Sequence, residues 1–378
     1  MPDFGAEDLG RLFAERHSEA IAELGRFNLA VFGKTGAGKS TLINAIFGQD
    51  VAPTGTGPPI TTGLHYYEHP DGILGLFDSQ GFETGHSGDA VLEGLARIVT
   101  QSKSQPIERQ IHAAWYVVRW SDRRFEDAQA AFVRRLASLV PVIFVLSQVP
   151  TNAAGEVHQD ARMLAQYVES TMLPLSPTNR VILTNALADS FIASGQYGLQ
   201  DLVDATFETA PEAARRALSA AQLVDKERKR QASAKIIKTA SASAFATGVT
   251  PIPFSDAAIL IPLQIAMIAR ITAAYGLKVP ASRVTALVGS LMLSTGATTA
   301  GRWLVGSLLR VVPGGQIPAM AISGTVAASL TRAIGWAWVA VCEQMLLRGE
   351  INVDMALVQN IFQSEFRNRF KVDIRRDK

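Results

Sequence analysis

Eight residues near the start of the sequence, 33–40, follow the pattern G-x-x-x-x-G-K-S between an apolar run, residues 27–32, and a helix-forming run, residues 41–47. A strand that turns through glycines into a helix directs backbone N–H groups and the positive end of the helix dipole at one point, where phosphate charge can be held. The pattern therefore predicts a phosphate-binding loop. A flexible glycine turn is the alternative, and the flanking strand and helix argue against it.

Two side chains of this loop would act on a bound triphosphate. Lys39 would reach the β- and γ-phosphates, and Ser40 would offer its hydroxyl to Mg²⁺. The residues predicted to contact the nucleotide in this segment are Gly33, Lys34, Thr35, Gly36, Ala37, Gly38, Lys39, Ser40 and Thr41.

Two further segments supply candidate ligands for the metal and the γ-phosphate. Asp78 follows a predicted strand and can hold Mg²⁺ through water, while the N–H of Gly81, three residues on, can bind the γ-phosphate. Residues 58–63 are predicted to form a loop that presents the Thr61 hydroxyl to the metal. Thr62 is the alternative to Thr61, and either could be an ordinary residue at the start of a strand.

The elements that must position these residues alternate between short apolar strands and helices, which predicts an α/β sheet covered on both faces. The link at residues 69–72 contains Pro-Asp-Gly and is short, so it predicts one antiparallel hairpin in an otherwise parallel sheet. The predicted strands are residues 27–32, 63–68, 73–77, 114–118, 142–146 and 181–183. The predicted helices are residues 7–24, 40–47, 89–101, 126–139, 158–171 and 198–208.

The composition of the chain changes at about residue 211. Residues 211–238 are predicted to form one long helix, with eight basic and three acidic residues. This helix is either a solvated connector or a contact for anionic lipid or a phosphate-bearing partner. The predicted domains are residues 1–210, an α/β domain; residues 211–238, a basic connecting helix; and residues 239–378, a hydrophobic all-α domain.

Two segments of the last domain, residues 284–301 and 311–331, contain no ionisable residue and approach or reach the ~20 residues that cross a bilayer. Hydroxyl residues dilute the first segment, and prolines and glycines interrupt the second. Helices rich in small residues pack closely in a membrane or in the dry interior of a bundle. The sequence therefore leaves open an association with an anionic membrane surface, a protein partner or a homo-oligomer.

Bulk composition narrows the class of protein. Hydrophobic residues make up 48% and charged residues 19% of the 378 residues, which argues against a disordered chain. A net charge of +2 gives no basis for a nucleic-acid partner. Cys342 is the only cysteine, so an intrachain disulfide and a cysteine zinc cluster are excluded. The acidic first residues do not resemble a secretory signal, so we expect a cytoplasmic protein, associated with the inner face of the membrane if the last domain binds lipid.

In their order along the chain, the strand, the loop at residues 33–40, Thr61 and Asp-x-x-Gly at residues 78–81 resemble the Era-like and dynamin-like branches of the translation-factor-related P-loop GTPases. Residues 27–45 carry most of this resemblance, which extends over about the first 210 residues. Apolar motifs at residues 251–256 and 264–268, ending at Tyr275-Gly276, resemble a hydrophobic helical domain of unknown function found behind such GTPases in bacteria. The resemblance implies a P-loop α/β fold, GTP with Mg²⁺, and a switch controlled by the nucleotide.

The base-recognition motif of that family departs from its usual form in this chain. The family reads guanine with Asn/Thr-Lys-x-Asp, whereas residues 147–150 are Ser-Gln-Val-Pro. Pro150 has no carboxylate, so ATP is not excluded, and Asp160 or a backbone group is a possible substitute. Thr184-Asn185-Ala186 resembles the last guanine-contacting loop of the family. The predicted base contacts are Ser147, Gln148, Asn185 and Ala186.

The residue expected to orient the attacking water also departs from the family. Phe82 follows Gly81 where water-orienting members have glutamine. A phenyl ring cannot orient or deprotonate water, so slow hydrolysis is expected, and no catalytic residue is predicted. His86 and Arg123 lie close to the predicted switch loops, but an ordinary solvated role is favoured for each. A nucleotide-binding module without turnover is the alternative function.

Overall fold

The central strands of the α/β region are apolar runs that are buried along their whole length. All six residues of β1, Phe27–Phe32, and all six of β6, Val142–Ser147, are buried. Continuous burial is typical of strands whose sheet is covered on both faces. The computed structural model describes residues 6–48, 59–61, 64–68, 72–79, 86–152, 154–188, 195–249, 256–279, 324–348 and 355–376.

The other strands are β2 Pro59–Thr61, β3 Leu64–Glu68, β4 Leu74–Ser79, β5 Ala113–Arg119 and β7 Val181–Leu183. Within the described residues they form one seven-stranded sheet in the order β2-β3-β4-β1-β5-β6-β7. β1 is central and pairs in parallel with β4 and β5, and the pairs β5–β6 and β6–β7 are also parallel. β3 pairs antiparallel with β4 and with β2. The predicted antiparallel hairpin in a mostly parallel sheet is therefore confirmed.

Helices flank both faces of this sheet. Along the whole chain, the helices in the described ranges are α1 Ala6–Leu24, α2 Lys39–Phe47, α3 His86–Ser102, α4 Asp127–Ala137, α5 Gln159–Ser170, α6 Leu199–Thr209, α7 Glu212–Ala221, α8 Lys226–Val249, α9 Asp256–Ala274, α10 Gly324–Arg348 and α11 Met355–Arg376. Those that belong to the same compact unit as the sheet are α2 to α7. On one face, Leu95 of α3 and Val133 of α4 belong to the core cluster that contains Phe144. On the other, the indole N–H of Trp115 donates to the Thr206 hydroxyl at 3.1 Å.

The predicted strands and helices between residues 7 and 208 are all present, with ends shifted by at most three residues. One difference concerns residues 58–63, which were predicted to be a loop. Residues 59–61 form β2, because they meet β3 in an antiparallel pairing that aligns Thr61 with Leu64. The antiparallel part of the sheet thus contains three strands rather than the two of a single hairpin.

The prediction of one helix over residues 211–238 is wrong, because the helix is interrupted between α7 and α8. The Gln222 amide is buried and closes a ring on Asp225: its Nε2 donates to Asp225 O at 2.8 Å, and its Oε1 accepts from Asp225 N at 2.6 Å. The Leu223 N–H donates to Ile46 O in α2 at 2.7 Å. Side-chain bonds to the backbone compete with helical bonding, and here they end α7.

This break coincides with the division of the chain into two compact units. The α/β unit is Leu24–Asp225, and the helical unit is Met1–Glu23 together with Lys226–Lys378. The division falls between the two predicted domain limits, residues 210 and 238. It assigns α7 to the α/β unit and α1 to the helical unit.

The helical unit has its own apolar core, formed by α8, α9, α10 and α11, to which Ile237, Ile271, Trp338 and Phe362 belong. The basic segment in α8 is not uniformly solvated, because Lys229 is fully buried.

Among the residues that the structure describes, no helix has both the length and the apolar character needed to cross a membrane. The segment at residues 284–301 lies outside the described residues, and only residues 324–331 of the second candidate segment lie within them, at the start of α10.

Candidate functional site

The loop between β1 and α2 is a tight glycine turn at the carboxyl end of the central strand. Gly33, Gly36 and Gly38 have φ values of 149°, 77° and 83°, which side chains rarely adopt. A Cβ on Gly33 would lie 2.2 Å from the Val117 carbonyl oxygen in β5. The loop can therefore follow this path only with glycine at the position next to β5.

Lys39 is the first residue of α2, and its ammonium group folds back over the loop. Its Nζ donates to Gly33 O at 2.9 Å and to Lys34 O at 3.3 Å, and the residue is only 8% exposed. Burial lowers the pKa of Lys39, and the nearby Asp78 carboxylate partly opposes this shift. A buried cation held by two carbonyls of its own loop can exchange them for phosphate oxygens without a change of fold.

Asp78 lies in β4 directly beside Val31 of β1, so its side chain stands next to the glycine loop. Its Oδ1 atom is buried and has no hydrogen-bond partner among the described residues. Burial raises the pKa of Asp78 to about 6, while Lys39 and His65 act in the opposite direction. A buried carboxylate oxygen without a donor is an unusual and costly arrangement that calls for a further partner.

The donors at this end of the sheet fit Mg²⁺. The ion prefers oxygen ligands and keeps several waters, so one carboxylate and hydroxyls suffice when phosphate supplies the rest. The unbonded Oδ1 of Asp78 is such an oxygen, and Ser40 lies in the first turn of α2. Thr61 is the last residue of β2. Among the described residues there is no group of three or more His, Cys, Asp or Glu side chains that would instead form an all-protein metal site.

Ser147 and Gln148, predicted as base contacts, make hydrogen bonds to the phosphate-binding loop. The buried Ser147 hydroxyl donates to Ala37 O at 2.6 Å, and the Gln148 amide donates to Gly36 O at 3.0 Å. Gln148 has a positive φ of 59°, and a Cβ on Gly38 would lie 3.2 Å from its Nε2. These two side chains at the end of β6 therefore brace the loop after β1.

Asn185 and Ala186 lie on the next loop, after β7. The Asn185 amide donates to Leu187 O at 2.7 Å and to Gly195 O at 2.9 Å, and Gln196 Nε2 donates to Ala186 O at 3.0 Å. This loop lies beside the one that follows β6, because the Val149 N–H donates to Thr184 O at 2.9 Å. The structure thus brings the four predicted base contacts together, and their contact with a base remains a prediction.

Asp160, considered as a base-reading group, and Arg123, considered as a catalytic group, have structural partners. Asp160, the possible substitute for the missing carboxylate, pairs with Arg123 at 3.3 Å. The Pro150 carbonyl accepts the His158 N–H at 3.2 Å. Gly81 and Phe82 lie outside the described residues, as do Thr62 and the side chains of Thr61 and His86.

Sequence reasoning did not single out His65, which lies opposite Asp78 in the β3–β4 pairing. The signal needed to find it is the hairpin register. A turn shifted by one residue would have placed Gly63 opposite Asp78 instead. The sequence predicted the hairpin but did not define its turn closely enough to choose between these registers.

Two models of protein families match segments of this chain. A model described as "Domain of unknown function (DUF697)" matches residues 212–367, and one described as "Dynamin family" matches residues 29–66. Cell division control protein 11 of Saccharomyces cerevisiae is 22% identical over 179 residues, covering 39% of this chain and 43% of that protein. The chain thus spans less than half the length of this relative.

Two solved structures are also similar. A bacterial selenocysteine-specific elongation factor, EF-Sec, has a TM-score of 0.30 and 18% identity, over 49% of this chain and 28% of that chain. A probable GTP-binding protein, engB, has a TM-score of 0.33 and 20% identity, over 48% of this chain and 97% of that chain.

Proposed function

We propose that this chain, which joins a dynamin-family P-loop segment to a DUF697 domain, is a Mg²⁺-dependent GTP-binding switch that hydrolyses GTP slowly. The observation that carries the proposal is the glycine loop with Lys39 folded over it and the unbonded Asp78 oxygen beside it. This arrangement provides a cation for phosphate and an oxygen for a metal-bound water at one point of the sheet edge.

In this proposal the loop amides and Lys39 bind the β- and γ-phosphates. Ser40, Thr61 and Asp78 would hold Mg²⁺. The bound ion would neutralise charge on the phosphate oxygens. Lys39 would release its two loop carbonyls when it takes up phosphate. Contact of Thr61 with the metal would order β2 while the γ-phosphate is present. After loss of the γ-phosphate, β2 would relax, as in other nucleotide switches.

The decisive measurement is calorimetric titration of GTP in the presence of Mg²⁺. We expect Lys39→Ala to weaken binding at least about tenfold, because it deletes a charge-assisted contact to phosphate. Lys103→Ala, which removes an exposed lysine directly after α3, is the matched control and should bind as the wild type does. Absence of Mg²⁺-dependent binding of every nucleoside triphosphate at millimolar concentration would refute the proposal.

The choice of base is part of the same test. GTP is the proposed ligand from the family segment, and Pro150 leaves ATP as the competitor because it offers no carboxylate to the guanine N–H groups. Competition of GTP against ATP for the site distinguishes them. Displacement of bound GTP by an equal concentration of ATP would contradict GTP as the preferred ligand.

A module that binds nucleotide without turnover is the second candidate, and the Phe82 side chain favours it. A single-turnover assay separates the two functions, run with and without lipid and at two protein concentrations so that a partner copy can complete the site. Phosphate release under any of these conditions supports the switch. No release under all of them supports the binding module.

We further propose that the nucleotide state controls a lipid-binding or partner-binding surface of the helical unit, at the cytoplasmic face of a membrane. The exposed side chains of Lys235, Lys238 and Phe245 on α8 support this, since anionic lipid attracts lysine and accepts an aromatic ring. Flotation with anionic liposomes tests it, with Lys235→Glu/Lys238→Glu as the variant and Lys103→Glu as the control. Protein that stays with the unbound fraction in both nucleotide states would leave a protein partner or a second copy as the target.

A further inference from the structure

His65 stands in a row of residues that crosses the antiparallel part of the sheet. In the β3–β4 pairing it lies directly opposite Asp78, and in the β2–β3 pairing it lies opposite Pro59. Residues directly opposite each other in an antiparallel pair have Cβ atoms about 4.5–5.5 Å apart on the same face. His65 therefore lies between the strand that ends in Thr61 and the carboxylate assigned to the metal.

The groups around Asp78 indicate which neighbour could donate a hydrogen bond to its carboxylate, and His65 is one of them. Within the part of the chain that the structure describes, Lys39 and His65 are the charged or titratable groups whose fields act on the Asp78 carboxyl. Lys39 directs its N–H groups to Gly33 O and Lys34 O. The Asp78 Oδ1 atom is buried, and no residue that the structure describes donates a hydrogen bond to it. His65 is thus the neighbour whose ring lies on the same face as the carboxylate and belongs to a different strand.

The orientation of the His65 ring is restricted by its own strand. Its plane stacks against the Tyr67 ring at a centroid distance of 6.5 Å and an interplanar angle of 16°. A ring held in this way can present an N–H to a carboxylate with little further loss of side-chain entropy. Packing alone does not call for histidine here, since a strand position accepts β-branched or aromatic residues at least as well.

We propose that His65 is a positioning residue of the Mg²⁺ site, which holds the Asp78 carboxylate in place and links it to the strand of Thr61. Carboxylates that bind a metal are themselves fixed by hydrogen bonds from neighbouring side chains. One Asp78 oxygen would accept from the imidazole while the other faces a metal-bound water. This inference rests on the proposed function, since it concerns the metal that accompanies the nucleotide, and it adds a residue that the motifs do not contain.

Two substitutions separate the ring from its N–H group. His65→Phe keeps an aromatic ring against Tyr67 and removes the donor, whereas His65→Gln keeps an N–H donor and removes the ring. Glu68→Ala, at the exposed end of the same strand and on its opposite face, is the control for damage to the strand. The probe is N-methylanthraniloyl-GTP, whose release is followed by fluorescence over a series of Mg²⁺ concentrations and in EDTA.

We expect His65→Phe to need about tenfold more Mg²⁺ to slow release of the probe, the usual effect of losing a residue that orients a metal ligand. His65→Gln should recover most of this affinity for Mg²⁺, and Glu68→Ala should stay close to the wild type. Affinity for the probe in EDTA should change by less than about twofold in all three variants, because the loop and Lys39 are untouched.

Three outcomes would overturn the proposal. They are an unchanged Mg²⁺ requirement in His65→Phe, an equal loss in Glu68→Ala, and a loss in His65→Gln that matches that of His65→Phe. If His65→Phe lacks the native circular dichroism spectrum, His65→Val replaces it with the same expectation. Failure of the wild-type protein to bind the probe at all would instead refute the proposed function, so the two failures are distinguishable.

Discussion

Among the described residues two lysines are buried, one in each unit, and they are held in different ways. Lys39 bonds to carbonyls five and six residues before it, within its own glycine loop. Lys229 bonds at 3.0 Å to the carbonyl of Tyr275, 46 residues away, just after the end of α9. Lys39 retains 8% exposure, whereas Lys229 has none.

The surroundings of Lys229 fix its position in the helical unit. The last carbonyls of a helix lack intrahelical donors and carry the negative end of its dipole. A lysine at this end therefore supplies a hydrogen-bond donor to a carbonyl and a positive charge that interacts favourably with the dipole. The ammonium also lies 5.8 Å from the centre of the Tyr275 ring, and the Tyr275 hydroxyl donates to Glu343 of α10 at 3.3 Å. Arg230 of α8 pairs with the same carboxylate at 3.4 Å. This network joins α8, α9 and α10.

In the described part of the chain, the hydrogen bonds of Lys39 do not join different helices or strands in this way. Its acceptors belong to one short loop, and the Asp78 carboxylate beside it has an oxygen to which none of the described groups donates. A charge whose partners are local can change them when a ligand arrives, whereas one that bridges three helices cannot move without opening the core. The contrast between the two lysines therefore separates a binding role from a structural role.

The largest effect that tests this contrast is the loss of stability in Lys229→Met. Methionine keeps the volume of the stem, but it leaves the Tyr275 carbonyl without its buried, charged donor. We expect the free energy of unfolding of the helical unit to fall by about 3 kcal/mol. The measurement is urea denaturation followed by circular dichroism.

The exposed Lys226, at the start of the same helix, gives the matched control. Lys226→Met should change stability by less than about 0.5 kcal/mol, as is usual at surface positions. GTP affinity should be unchanged in Lys229→Met. An equal effect of the two substitutions on stability would show that the buried lysine contributes nothing beyond its helix.

The second effect is that of Lys39→Met, for which we expect the opposite result: a loss of GTP affinity with little loss of stability. Burial disfavours the charged form of Lys39, which its lowered pKa expresses, so removing the charge partly offsets the loss of two hydrogen bonds. We expect stability to change by less than about 1 kcal/mol while affinity for GTP falls at least about tenfold. A loss of stability as large as that of Lys229→Met would erase the distinction between the two lysines.

A third effect concerns how closely the helices around Lys229 approach. A Cβ on Gly335 of α10 would lie 2.6 Å from Ile237 Cγ1 in α8 and 3.1 Å from Met267 Sδ in α9. Overpacking of this kind lowers stability by about 1–3 kcal/mol, whereas the higher helix propensity of alanine raises it by about 1 kcal/mol. We expect Gly335→Ala to lower the stability of the helical unit by about 1 kcal/mol.

A double-mutant cycle identifies the cause of that loss. In the Ile237→Ala background, where the side chain that clashes is shortened, Gly335→Ala should be neutral or stabilising in the same urea titration. If Gly335→Ala costs the same in both backgrounds, the close approach of α8 and α10 does not limit the helical unit.

The sequence predicts the phosphate-binding loop well because each of its residue types answers a local requirement. Glycine is needed at positive φ, and a lysine at the helix start is needed for phosphate. Those requirements can be read without knowledge of the rest of the chain. The strands of the α/β unit are likewise local, since each is a short apolar run between turns.

The errors and omissions of the prediction all depend on contacts between distant residues. The end of α7 depends on the Gln222 ring and on the bond from Leu223 to Ile46 in α2, neither of which leaves a periodic signal. The bonds of Ser147 and Gln148 to the phosphate-binding loop depend on where β6 lies in the sheet. The pairing of His65 with Asp78 depends on a register that one residue in the turn would change.

The smallest predicted effect extends the comparison to two histidines, the buried His112 in the α/β unit and the half-buried His17 in the helical unit. Burial lowers the pKa of both, with hydrogen bonds to backbone carbonyls acting in the opposite direction. The His112 Nδ1 atom accepts the Asn28 N–H at 3.0 Å, so its Nε2 must donate to Ile107 O, at 2.8 Å. His17 has one such bond, to Leu277 O at 3.1 Å. The hydrogen bonds therefore favour the neutral form of the ring more strongly in His112 than in His17.

A histidine whose pKa is lower in the folded state gains a proton first in the unfolded state. Its contribution to stability is therefore complete above about pH 6.5, the unfolded value, and is lost as the pH falls through the folded value. The raised pKa of Asp78 acts in the opposite sense, so the test is a difference between variants. The stability of the wild type relative to His112→Gln should decline between pH 7 and pH 5, and the corresponding decline for His17→Gln should be smaller. Equal or reversed slopes in the urea titrations would mean that the second hydrogen bond does not strengthen the preference for neutral His112.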